Sequence, residues 1–267
     1  MAVRAFWKGY LKLSLVTCPV AMTPATTTNE KVRFNTLNRA TGHRVVSEYV
    51  DAVTGDVVEE DDEVKGYERG ENDHVMLEDD ELDAVALETT HTIDIESFVP
   101  ADEVGWIWYD KPHYLTPNDE VGEEAFAVIR EAMAASGVVG ISRVVLYRRE
   151  RAVLLEPREN GIVLWTLRYG DEVRDPKDYF EGTKKAKPDA KLLSLVEELI
   201  EERTAKWSPE MVTDPVQDEL LKLISAKKKG RKAPAKKKAE DTPSGGNVVN
   251  IMDALRKSLA EGKKAKK

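Results

Sequence analysis

The chain has 267 residues, of which 41% are apolar, including five tryptophans, and a formal charge of −9. That length exceeds the usual single-domain size, so one sizeable core with appended segments is expected, and the apolar content excludes a chain disordered throughout. A single cysteine, Cys18, excludes an intramolecular disulfide and any zinc site built on several thiolates, and it fits a reducing cytoplasm.

The opening run MAVRAFWKGYLKLSLVTCPV mixes Arg4, Lys8 and Lys12 into its apolar residues and lacks the unbroken hydrophobic stretch of a signal peptide. No segment approaches the roughly 18 consecutive apolar residues of a membrane span. The expectation is a soluble protein that stays inside the cell. Leu11, Leu13 and Leu15 alternate with Lys12 and Ser14, the pattern of a half-buried strand. Ile93 and Ile95 repeat it, and VGWIWYD, GISRVVLY, RAVLLEP and NGIVLWTLRY add β-branched and aromatic runs bounded by turn residues. Many short strands predict a barrel or sandwich. One helix interrupts them: Asn118 or Asp119 caps a segment in which Ala125, Val128, Ile129, Ala132 and Met133 fall at helical spacing, and Gly137 ends it. The core is therefore α+β.

Past Pro176 the pattern becomes helical. Asp189 caps a helix carrying Leu192, Leu195, Val196, Leu199 and Ile200; Asp214-Pro215 opens another with Val216, Leu220, Leu223 and Ile224, and WSPEMVTDP forms the turn between them. The following SAKKKGRKAPAKKKAEDTPSGG is too polar to bury a core and reads as a solvated linker. In NVVNIMDALRKSLAEG, residues Val248, Ile251, Met252, Leu255 and Leu259 share one helical face. From Lys227 onward there are 14 Lys and Arg against 4 acidic residues, a net +10 that leaves −19 on the residues before it. A strongly acidic body thus carries a strongly basic tail, and a flexible polycation of this kind neutralises phosphates without a shaped site.

No catalytic or metal-binding constellation declares itself. Glu59 to Glu63 and Glu78 to Glu81 are runs of adjacent carboxylates, which diverge along a chain and read as solvated surface. His43, His74, His91 and His113 lack the spacing that places two rings on one metal, and there is no GxGxxG, Walker or GxSxG motif. Cys18, followed by Pro19 in a strand-like run, reads as a core thiol. The chain is read as a non-enzyme without cofactor or metal. Basic residues cluster instead at Lys31, Arg33, Arg39, His43 and Arg44, and again at Arg143, Arg148, Arg149 and Arg151.

A series of motifs in fixed order resembles the bacterial Ku family over essentially the whole chain. It comprises AFWKGYLKLSLVTCPV with Trp7-Lys8-Gly9, VKGYE at Val64 to Glu68, TIDIESFVP at Thr92 to Pro100, and YDKPHYLTP at Tyr109 to Pro117. GISRVVLYRRE at Gly140 to Glu150, LRYGDEVRDP at Leu167 to Pro176, and NVVNIMDALRKSL follow. The resemblance implies an α+β chain: a β-barrel core with an inserted strand bridge that forms half of a dimeric ring, then a helical C-terminal arm and a basic tail. The expected divisions are a core over 1–182, the arm over 183–225 and a flexible Lys-rich tail over 226–267. Some members carry CxxC just before VKGYE, where this chain reads Asp51, Ala52, Val53, Thr54, so no metal is expected there.

The implied function is sequence-independent binding of double-stranded DNA ends by a homodimeric ring. The ring would recruit and stimulate an ATP-dependent DNA ligase in non-homologous end joining, in the cytoplasm and at the nucleoid. Along the family pattern Lys31, Arg33, Arg39 and Arg44 fall where the bridge leaves the barrel, Lys65 and Arg69 where it returns, and Arg148 and Arg149 near the channel. Lys227, Lys228, Lys229, Arg231, Lys232, Lys236, Lys237 and Lys238 supply the tail's charge. Leu192, Leu195, Leu199, Trp207, Leu220 and Leu223 are the expected ligase-docking residues. Two other readings compete: a scaffold anchored to RNA or DNA by its tail, and a metal-dependent nuclease using the acidic runs around Asp61 and Asp62.

Overall fold

The computed structural model describes residues 5–71, 73–85, 91–183 and 189–230. These fall into two compact units, one of residues up to Glu30 with Phe34–Asp175, the other of Lys31–Arg33 with the described residues from Pro176 onward.

The first unit is built on an eight-stranded sheet. Its strands are β1 (Trp7–Leu13), β2 (Val16–Pro24), β5 (Thr92–Asp94), β6 (Ser97–Pro100), β7 (Tyr109–Pro117), β8 (Val138–Leu146), β9 (Arg149–Arg158) and β10 (Gly161–Leu167). The order across the sheet is β5-β1-β2-β7-β10-β9-β8-β6, antiparallel except for the β1–β5 pair. The two edge strands are nearly consecutive in the chain. Between them Ile95 donates its N–H to the Lys12 carbonyl on β1, and Glu96 donates to Ile141 on β8. One short stretch thus bonds to strands near both ends of the sheet, curls it round and satisfies backbone groups that a flat sheet would leave exposed. Ser142, fully buried, donates its hydroxyl to the Asp94 carbonyl at 2.5 Å across the same closure.

Alternation fills the interior. Cys18, Val20 and Met22 of β2 point inward at every second residue, as do Ile162 and Leu164 of β10, and all five are at most 1% exposed. Cys18 is the core thiol expected, and burial, followed by the nearby Asp119 charge, raises its pKa. Trp7 and Leu11 of β1 do likewise, but Leu13 is the last strand residue and Leu15 is 97% exposed. The expected strand through Leu15 stops short because Ser14, at φ 56°, begins a two-residue hairpin turn that pairs Leu13 with Val16. Trp7-Lys8-Gly9 has a steric reason: a Cβ on Gly9 would lie 2.1 Å from the His91 carbonyl oxygen and 2.4 Å from the Trp7 ring. VGWIWYD, expected as a strand, instead forms a 3-10 turn over Trp106–Trp108, with β7 beginning at Tyr109.

Helix α2 (Glu120–Ser136) packs on the barrel. Asp119 caps it by accepting from the Gly122 N–H at 2.7 Å, and Gly137 ends it at φ 66°, both as the sequence indicates. The buried face is Gly122, Phe126, Ile129 and Met133; Val128, expected inside, is 62% exposed. The face is rotated because Gly122 lies against Pro19, where a Cβ would come within 2.8 Å of the proline ring.

Between β2 and β5 the chain leaves the barrel. The expected bridge strands are confined to its later part, the hairpin of β3 (Lys65–Gly70) and β4 (Asp73–Leu77), followed by the short helix α1 (Asp79–Val85). Residues 25–64 hold no strand, only two isolated bridges, Leu37 to Arg44 and Val50 to Val57, and a 3-10 turn over Glu60–Asp62. Each bridge closes a loop of the same design. Asn38 accepts from the Ala40 N–H, and Asp51 accepts from the Val53 and Thr54 N–H groups; Gly42 and Gly55 follow at φ 73° and 78°. These side-chain to backbone bonds compete with strand pairing. They also hold Asp51's carboxyl below its ordinary pKa, chiefly through the Thr54 and Val53 amides.

The second unit holds the short α3 (Lys177–Phe180), without a side-chain cap, and α4 (Ala190–Arg203) and α5 (Pro215–Lys228), which carry the caps read from sequence. Asp189 accepts from the Lys191 and Leu192 amides, and Asp214 from Val216 and Gln217. WSPEMVTDP contains a 3-10 turn over Pro209–Val212. α5 runs past the expected linker boundary to Lys228, since lysines in a last turn interact favourably with the helix dipole. Neither α4 nor α5 has a buried residue. No helix among the described residues is long and apolar enough to cross a membrane.

One buried group links this fold to pH. His113 on β7 is 7% exposed, its ring lies 6.3 Å from that of Phe6, and its Nδ1 has no hydrogen-bond partner among the described residues. Burial, the main cause, holds its pKa below the ordinary imidazole value. Unfolded His113 therefore takes up a proton first as pH falls, so its contribution to stability is complete above about pH 6.5 and is lost as pH falls toward the folded pKa. We expect melting temperatures to drop more between about pH 7.5 and about pH 5 for the wild type than for His113→Phe, each compared with its own value at the higher pH. Parallel curves would contradict this.

Candidate nucleic-acid interface

The β8–β9 hairpin turns through Tyr147 and Arg148, at φ 52° and 63°. Two successive non-glycine residues in the left-handed region are unusual; this turn ordinarily takes Asn-Gly, and each such side chain adds strain. Contacts hold the tip in place. The Tyr147 ring lies 5.3 Å from that of Phe6, and the Arg148 guanidinium pairs with Asp83 of α1 at 2.5 Å. Arg149 follows as the first residue of β9 and is exposed. Arg151 lies 5.8 Å from the centre of the Tyr169 ring, whose hydroxyl donates to the Glu150 carbonyl. Arg143 pairs with Glu150 at 2.8 Å and reaches Glu96 at 3.8 Å.

The cations expected on the returning part of the excursion are also partnered. Lys65 of β3 reaches Asp79 of α1 at 2.9 Å, and Arg69 reaches Asp73 of β4 at 2.8 Å. Lys65, followed by Arg148, lowers the Asp79 pKa; hydrogen bonding to Asp83 and its charge raise that of Arg148. Lys65, Arg148 and the α1 carboxylates therefore form one network, whereas Arg69 is tied within its own hairpin.

The other expected residues are dispersed. Arg39 and Arg44 lie exposed on the first capped loop and carry no ion pair among the described residues. Lys31 and Arg33, expected to cluster with them, belong instead to the second unit, where the intervening Val32 donates its N–H to Gln217 of α5 at 3.4 Å. Lys227 and Lys228 are exposed in the last turn of α5 and Lys229 caps it; Arg231, Lys232, Lys236, Lys237 and Lys238 lie outside the described residues, as does the amphipathic segment from Val248 to Leu259.

Of the expected docking residues, Leu192, Leu195 and Leu199 line one half-buried face of α4, Leu220 and Leu223 are half-buried on α5, and Trp207 is 66% exposed between them. Sequence reading missed Tyr147 and the pairing of Asp79 and Asp83. The strand-like runs GISRVVLY and RAVLLEP marked the two strands, but nothing in the sequence signalled what the tip between them would touch. Both acidic runs are exposed, and no group of three or more His, Cys, Asp or Glu among the described residues could hold an ion.

Chemically, the assembly offers exposed guanidinium and ammonium groups with an aromatic ring on a rigid hairpin. That combination suits phosphate and sugar contacts made without regard to base sequence.

The family model described as Ku, Ku70/Ku80 beta-barrel domain, matches residues 12–195. A non-homologous end joining protein Ku of Methylocella silvestris is 66% identical, covering 100% of this chain and 99% of its own. The protein of the same name in Allorhizobium ampelinum is 61% identical over 99% and 98%. The Pseudomonas aeruginosa protein of that name is 32% identical over 96% and 88%.

The strained tip yields a stability test. Replacing Tyr147-Arg148 by Asn-Gly should relieve the left-handed strain and raise unfolding free energy by about 1 kcal/mol after the loss of the exposed contacts. Urea melts check this; a less stable variant would show that the Phe6 and Asp83 contacts outweigh the strain.

Proposed function

The chain belongs to the Ku family, and on that footing we propose that it binds the ends of double-stranded DNA in non-homologous end joining, as a homodimeric ring without catalytic activity of its own. The observation that carries this reading is the near-complete match, at 66% identity, to a protein named for that process. The excursion from the barrel supports the second copy. Every residue of β3 is exposed, and Phe34, Val46, Tyr49, Val53, Tyr67 and Met76 are each at least 67% exposed along the same stretch. A two-stranded ribbon with free edges and apolar surface is marginal by itself and needs a partner. Another copy of the chain supplies one with closed symmetry.

Within the proposed ring, Arg39, Arg44, Lys65, Arg69, Arg148 and Arg149 engage phosphates, and the basic residues from Lys227 to Lys238 add sequence-independent attraction. Lys31 and Arg33 are proposed phosphate contacts of the second unit in their own right. The acidic remainder of the surface repels duplex approaching from outside, which favours entry through the ring. The working place is the cytoplasm, at the nucleoid. Helices α4 and α5 belong to the ligase-docking arm, proposed over 183–225 between the core over 1–182 and the tail over 226–267, with the last turn of α5 extending past that boundary to Lys228. Two helices without a buried side chain leave Leu193, Val196, Ile200, Val216 and Leu221 available to a partner protein.

Gel shifts comparing linear duplex with covalently closed circular DNA of the same sequence test the central step. Linear DNA should bind and circles should fail to compete, with light scattering giving twice the chain mass of 29.9 kDa. Equal competition by circles, or a monomer, would overturn the ring. Truncation after Gly182 should keep end binding and abolish ligase stimulation. Loss of both would place the arm within the DNA-binding body.

A further inference from the structure

We propose that α1 acts as an internal phosphate surrogate. In the DNA-free chain the carboxylates of Asp79 and Asp83 occupy Lys65 and Arg148, and DNA binds these cations by displacing the carboxylates. The inference rests on the DNA-binding reading above and adds to it a competitor built into the same chain.

Three observations lead to it. First, α1 and the residue before it are dense in negative charge: Glu78, Asp79, Asp80, Glu81 and Asp83 are five carboxylates within six residues, with no cation among them. Second, its two ion pairs reach residues from two different elements, Lys65 on β3 at 2.9 Å and Arg148 on the β8–β9 tip at 2.5 Å. Both targets are among the cations assigned to DNA. Third, the pairs are open to solvent: the side chains of Lys65 and Asp79 are 71% and 86% exposed, and those of Arg148 and Asp83 are 64% and 56% exposed.

Exposed pairs contribute little and exchange readily. A phosphate offers a guanidinium the same bidentate geometry as a carboxylate, with the added release of counterions from the duplex. Displacement therefore requires no unfolding of the barrel, only rotation of long side chains away from α1. The strained Arg148 backbone fixes where the guanidinium starts, so Asp83 and an incoming phosphate compete for one position. A scattered contact with non-specific duplex would gain little against this internal competitor, whereas a duplex held by many contacts at once would overcome it. The expected consequence is reduced binding to DNA that is not threaded.

The test measures duplex binding by fluorescence anisotropy at one salt concentration for the full-length wild type, Asp79→Asn/Asp83→Asn, and the charge-matched Asp61→Asn/Asp62→Asn. Asp61 and Asp62 are exposed on a 3-10 turn and form no ion pair among the described residues. The α1 variant should bind about three- to tenfold tighter than wild type, and the control should gain less than about twofold. Adding Arg148→Gln to the α1 variant should remove much of the gain. Should the double variant fold poorly, Asp83→Asn alone, acting through Arg148, should still tighten binding about two- to fourfold.

Equal gains in the two double variants would assign the effect to net charge and overturn the proposal. So would an absence of gain. A loss of affinity would mean that the carboxylates position the cations for DNA and do not compete for them. The underlying reading fails by a different sign: closed circles competing equally with linear duplex would defeat end binding even where the α1 variant binds tighter.

Discussion

A crossing of two residues, Ile95 and Glu96, determines the architecture of the barrel unit. Their amides bond to strands near opposite ends of one eight-stranded sheet, to the Lys12 carbonyl on β1 and the Ile141 carbonyl on β8, so a single piece of backbone curls the sheet round. The core fills from all sides with alternating residues such as Leu11, Val20, Leu155 and Leu164, each fully buried. The long excursion between β2 and β5 pairs with no barrel strand among the described residues; β3 and β4 pair only with each other. Its hairpin and its apolar side chains are left exposed in the single chain, which is the observation on which the proposed second copy rests.

Electrostatics operates on top of that frame. The residues before Lys227 carry a net −19, an adverse starting point for binding a polyanion. Local pairing modifies that average: Lys65, Arg69, Arg143 and Arg148 each lie within 3 Å of a carboxylate. Under the proposed reading, cations held in this way are positioned without raising the non-specific affinity of the free protein, and DNA that makes many exchanges together is favoured over DNA that makes one.

The fold was largely legible in the sequence. Strand alternation at Cys18, Val20 and Met22, the Asp119 cap, Gly137 and the Asp189 and Asp214 caps are local signals, and local signals survive folding. Ordered motifs across the chain identified the family. What escaped notice was one local cue and, otherwise, contacts between distant residues. The 25–64 segment reads as β-branched and polar, yet its Asn38 and Asp51 caps turn it into two matching loops; Asn or Asp followed at the third and fourth positions by Thr-Gly was the overlooked cue. Val128 has the spacing of a core residue, but Pro19 on another strand rotated the helix face. The Arg148–Asp83 pair joins residues 65 positions apart and had no signature at all. Lys31 and Arg33 looked continuous with Arg39 along the chain, while Gln217 draws their backbone to a different unit.

The central claim is that duplex DNA passes through a closed ring of two chains. The most direct measurement loads the protein onto linear duplex biotinylated at both ends, adds streptavidin to block the ends, and follows dissociation under excess competitor DNA. Encirclement predicts that blocking after loading greatly slows escape, while blocking before loading prevents binding. Dissociation at the same rate with open and blocked ends would contradict it.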